Sequence, residues 1–81
     1  MPSNYLKILN VPADLEQDYY IETISAAPGS LVQTYQHRDT RGPRVIAEEF
    51  ARRLANVSGA YSVATVYIGA ERHPAATVAI D

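Results

Sequence analysis

Residues 43–59 read PRVIAEEFARRLANVSG, and the fold turns on this stretch. Ile46, Phe50, Leu54 and Val57 recur at spacings of four, four and three, the period of one face of an α-helix. Ala47, Ala51 and Ala55 flank that stripe, and Glu48, Glu49, Arg52 and Arg53 take the far side. Pro43 suits a first helical position, where its missing N–H is not needed. Gly59 is placed to end the helix in a left-handed conformation. Glu48–Arg52 and Glu49–Arg53 are i,i+4 pairs in the favourable order, worth roughly 0.2–0.5 kcal/mol each. The spacing predicts a helix over 43–58 with Ile46, Phe50, Leu54 and Val57 as its core side.

The segments around it read as strands. Residues 5–11 (YLKILNV) are aromatic or aliphatic at most positions and are stopped by Pro12. Residues 18–25 (DYYIETIS) form a second run, and Pro28-Gly29 after it meets the demands of a type II turn. A hairpin is therefore expected into a third strand over 31–37, the most clearly alternating of the set. After the helix, residues 61–68 form a fourth strand, residues 69–75 a loop containing His73-Pro74, and residues 76–80 a short last strand. The order is βββαββ: an α+β domain with an antiparallel or mixed sheet of about five strands and one helix on one face.

Coverage is the difficulty with this arrangement. Five strands at about 4.8 Å spacing span roughly 24 Å, whereas a helix with its side chains is about 10–12 Å across. A second sheet face that met water would alternate polar with apolar. Several runs do not: Leu6 and Ile8 oppose Tyr5 and Leu9, Tyr19 and Tyr20 are adjacent, and Val63 and Tyr67 oppose Ala64, Val66 and Ile68. The chain also has six tyrosines and no tryptophan. Tyrosine suits a surface that must tolerate both water and a partner. Tyr5, Tyr19, Tyr20, Tyr35 and Tyr67 are thus the expected interface residues, in a homodimer or against a larger protein.

Charge is laid out unevenly behind a net value of −2. Residues 1–36 set Lys7 against Asp14, Glu16, Asp18 and Glu22, while residues 37–53 set five arginines against Asp39, Glu48 and Glu49. The segment 37–44, HRDTRGPR, is a basic loop feeding a helix N-terminus, where free N–H groups favour an anion. His37, Arg38, Arg41, Arg44, Arg52 and Arg53 are the expected partner- or anion-binding residues. It is not a P-loop, because the spaced glycines and the lysine are missing. His37 and Asp39 fall on one side of a strand, as a base and its orienter would, but no nucleophile stands beside them in a recognisable elbow. The His, Asp and Glu residues lack the spacing of a metal site, and no cofactor motif occurs. With no cysteine, disulfides, zinc–thiolate sites and thiol nucleophiles are excluded.

These features predict a single small domain that is not an enzyme. With no signal-like segment or membrane span, a cytoplasmic location is expected. The expected function is protein interaction, as an inhibitor or adaptor docking through the sheet face or the arginine loop. Phage-type inhibitors of bacterial defence complexes are proteins of this size and plainness. Two alternatives remain open: a nucleic-acid-binding domain using the arginines of 38–53, and a small dimeric ligand-binding protein or enzyme with a pocket lined by tyrosines and His37.

Overall fold

A computed structural model describes residues 17–81. Within them the order is ββαββ: β1 (Gln17–Ser25), β2 (Gln33–Asp39), α1 (Pro43–Ser58), β3 (Ser62–Ile68) and β4 (His73–Ile80). The fold is α+β, and the described residues contribute four antiparallel strands ordered β2-β1-β3-β4. The expected first strand, residues 5–11, lies outside the described residues together with Tyr5, and the described part of the sheet has four strands. Ala27 and Ser30 close the turn after β1 with a 3.1 Å backbone hydrogen bond, and Gly29 takes φ 80°. Pro28-Gly29 therefore turns as the sequence demands. α1 spans the expected residues, with Pro43 in its first turn, and Gly59 ends it at φ 69° while donating its N–H to the Ala55 carbonyl.

The strand boundaries differ at two places. β2 begins at Gln33, leaving Leu31 and Val32 in the loop and exposed at 75% and 54%. β4 begins at His73 instead of after Ala75, and so contains Pro74. A proline cannot donate to a ladder, but β4 is an edge strand. Its register also slips there: Val66 faces Ala76 while Tyr67 faces Pro74, leaving Ala75 as the extra residue of a bulge.

The core is small and forms between α1 and one face of the sheet. Tyr19 and Ile21 of β1, Ala64 and Val66 of β3, and Ile46, Ala47 and Ala51 of α1 are buried, with Phe50, Ile68, Ala76, Val78 and Ile80 around them. The helix side turned to the sheet thus keeps Ile46 from the expected stripe, with Ala47 and Ala51 beside it, whereas Leu54 and Val57 fall outside the core. Alanines at 47 and 51 let the helix backbone approach β3 closely, and the larger residues are displaced to its flank. Phe50 and Leu54 are half-buried, and Val57 is 81% exposed. Tyr19, expected at an interface, is 4% exposed and belongs to the core. Burial is also the main reason that its phenol pKa is raised, with the Asp39 charge adding to it.

The other sheet face is not the apolar surface that unbroken hydrophobic strands imply. Asp18, Glu22, Thr34, Gln36, Arg38, Thr65 and Thr77 occupy it alongside Tyr20 and Tyr67. Arg38 pairs with Asp18 at 2.8 Å, the Tyr67 hydroxyl donates to Glu22 at 3.1 Å, and Thr77 donates to Thr65 at 3.2 Å. The Arg72 guanidinium lies 4.4 Å from the centre of the Tyr20 ring. Apolar residues on this face, Ile24, Val63 and Ala79, share one row at one end.

Replacing Ile46, fully buried, by alanine is expected to cost about 2–5 kcal/mol. Val57→Ala should change stability by no more than roughly 0.5 kcal/mol. Urea denaturation of the two variants checks this placement of the helix, and similar losses for both would refute it.

Candidate functional site

The helix lies over β3 and β4, with one side reaching β1, and no Cα of β2 comes within 8 Å of a helix Cα. Geometry explains the overhang. Four strands place the outer two about 14 Å apart, centre to centre, wider than a helix about 10–12 Å across. The helix sits over β3 and β4, so the uncovered width falls on the β2 side. A cleft of about 550 Å³ remains there, lined by Thr23, Gln33, Tyr35, Gln36, His37, Phe50, Arg53, Leu54 and Val57.

Aromatic rings and ion pairs bridge the gap. Phe50 reaches from α1 to meet the Tyr35 ring at 5.3 Å, tilted by 47°, and the His37 ring at 5.6 Å, edge-on at 73°. Pairs at such separations contribute roughly 0.5–1.5 kcal/mol beyond their area. Behind them, Nε2 of His37 lies 3.2 Å from Oδ2 of Asp39, which also accepts from Arg41 at 2.7 Å. Arg41 bonds Glu49 at 2.7 Å, Glu49 bonds Arg53 at 2.6 Å, and the Arg53 guanidinium lies 5.3 Å from the Phe50 ring centre. The sequence of contacts closes on itself and ties the end of β2 to α1 across the cleft.

This network changes the reading of the arginine loop. Arg38, Arg41, Arg52 and Arg53 each hold a carboxylate, from Asp18, from Asp39 and Glu49, from Glu48, and from Glu49. Of the five, Arg44 has no ion-pair partner among the described residues. An anion placed on the loop competes with Asp39, which already accepts the Arg41 backbone N–H at 2.8 Å. The pairing of His37 with Asp39 follows the strand alternation, and their neighbours are aromatic rings and a guanidinium. No group of three or more metal-ligating side chains occurs among the described residues, and no described helix is long and apolar enough to cross a membrane.

The expected tyrosines separate: Tyr35 stands in the cleft, Tyr20 and Tyr67 lie side by side on the opposite face, and Tyr19 is buried. Periodicity alone places Phe50, Leu54 and Val57, the cleft's apolar wall, in the core. The alanine row beside that stripe was the signal for the helix's true rotation. Leu31 and Val32 are exposed in the loop before Gln33, where β2 begins.

The Arg41 backbone N–H is the main influence holding the Asp39 carboxyl down at about 2, assisted by the Arg41 guanidinium and His37 against the opposing effect of burial. A carboxyl whose folded value is depressed stabilises fully above its unfolded value, and that contribution is lost as pH falls from about 4 toward 2. Urea midpoints measured across that range should fall for the native chain and fall less steeply for Asp39→Asn. Equal slopes would show that Asp39 does not carry the acid response. No protein-family model, curated protein or solved structure matches this chain.

Proposed function

We propose that the protein is a non-enzymatic interaction module, an inhibitor or adaptor, that docks through the apolar end of the molecule beside β2. One observation carries this reading. Seven large hydrophobic side chains are exposed among the described residues, and six of them, Ile24, Leu31, Val32, Tyr35, Val57 and Tyr61, gather at one end. The register places them together: the Ala26 N–H donates to the Tyr61 carbonyl at 2.8 Å, Gln33 pairs with Thr23, and Val57 faces both across the cleft. Residues 23–37 and 54–70 contain no Asp, Glu, Lys or Arg. Arg38, Asp39, Arg41 and Arg44 lie toward the opposite end, where the Gly69 N–H donates to the Asp18 carbonyl.

Exposed apolar side chains gathered at one end of a small domain are the kind of surface that partners dock on. The cleft extends that surface inward and offers aromatic rings, which dominate binding energetics when a partner buries them. The carboxylates on Arg38, Arg41, Arg52 and Arg53 favour this reading over nucleic-acid binding. Phosphate would have to displace those carboxylates before gaining the counterion release that drives such binding.

The test is site-specific photocrosslinking in an extract of the native host. A benzophenone side chain at Val57 should give one discrete adduct, with none from the same probe at Arg44 or Thr65. The adduct should vanish in a Leu31→Glu chain whose melting temperature is unchanged. An adduct from Arg44 or Thr65 but not from Val57 would contradict the proposal.

A further inference from the structure

The two edges of the sheet are guarded unequally. β4 carries Pro74 and a bulge, the devices by which natural sheets keep an edge from pairing. Residues 31–36 at the other edge read LVQTYQ, with no charge, no proline and no bulge in the pairing with β1. Among the described residues nothing lies on the outer side of β2. A bare edge of this kind, flanked by exposed Leu31 and Val32, is a template for another strand.

We propose that this strand comes from a second copy of the same chain, the two β2 strands pairing antiparallel about a two-fold axis beside Gln33. The inference rests on the reading of the apolar end as the docking surface and names its occupant. Charge complementarity favours self-association. A two-fold contact sets a surface against itself, so any charge within it meets its own kind. Residues 23–37 carry no carboxylate, lysine or arginine, whereas a contact through the opposite end would set arginine against arginine. With the axis at Gln33, alternation brings Leu31 against Tyr35 of the second copy on the helix side. On the other side it brings Val32 against Thr34 of that copy. Aromatic–aliphatic and β-branched pairs are the favourable kinds of cross-strand neighbour. Arg38 falls beyond the paired stretch and keeps its bond to Asp18. The result is a continuous eight-stranded sheet with both helices on one side, and the two clefts open into a single groove between them.

The full chain contains no cysteine, so single replacements report geometry cleanly. Gln33→Cys should form a disulfide-linked pair on mild oxidation, while Ala79→Cys, exposed on the β4 edge, should stay single. Sedimentation of the native chain should give twice the 8.9 kDa of one copy. The pair should separate in a Leu31→Lys, Val32→Lys chain that still unfolds cooperatively and whose melting temperature, unlike that of the native chain, does not rise with concentration. A monomer at every concentration overturns the proposal, as does a dimer that links through Cys introduced at Ala79 but not at Gln33. If the chain is monomeric while the Val57 probe still captures one partner, self-pairing alone has failed and the docking surface stands.

Discussion

The close seat of α1 on the sheet, with Ala47 and Ala51 against Ala64 and Val66, fixes everything else in this molecule. Side chains this small let the helix approach β3, and the approach sets its lateral position. A helix centred there covers β3 and β4, reaches β1 and leaves β2 overhanging. The cleft, the rotation of Phe50 toward Tyr35 and the exposure of Val57 are consequences of that placement. Larger residues at 47 and 51 would lift the helix and cost about 1–3 kcal/mol in overpacking.

The overhang is reinforced rather than left loose. His37, Asp39, Arg41, Glu49, Arg53 and Phe50 form a closed set of contacts spanning the gap. Each exposed ion pair alone is worth little, but a ring of them sharing carboxylates resists changes in the distance between β2 and α1. The polar chemistry is spent at one end of the molecule and the apolar chemistry is displayed at the other. On the proposed reading, that division leaves the β2 edge free to dock while the arginines of the loop pair within the fold.

The α+β class, the helix bounds, the Pro28-Gly29 turn and the four described strands, apart from the starts of β2 and β4, were legible in the sequence. They follow from local rules: a 3.6-residue period, a left-handed glycine and alternation in Tyr35–His37. The surplus of apolar strand surface expected on the second face does not occur among the described residues, and most of the exposed apolar side chains, Leu31, Val32, Val57 and Tyr61, lie outside the strands. Thr65, Thr77 and Glu22 make the outer face polar, and their effect depends on which strands lie side by side. Strand order is a long-range property, so β2 at the edge could not be read from residues 31–39. The core side of α1 was misread for a related reason. Hydrophobicity scales rank Phe50 and Val57 above alanine, whereas close packing favoured the alanines. Pro74 argued for a loop and was admitted to β4 because an edge position and a bulge remove its penalty.

The central claim is that α1 stands away from β2 and leaves the cleft open. Proton–proton nuclear Overhauser contacts test it directly. The Phe50 ring should show cross-peaks to the Tyr35 and His37 side chains, and the Val57 methyls none to Ile21. Strong contacts from the Val57 methyls to Ile21 would place the helix over β2, close the cleft and contradict the account.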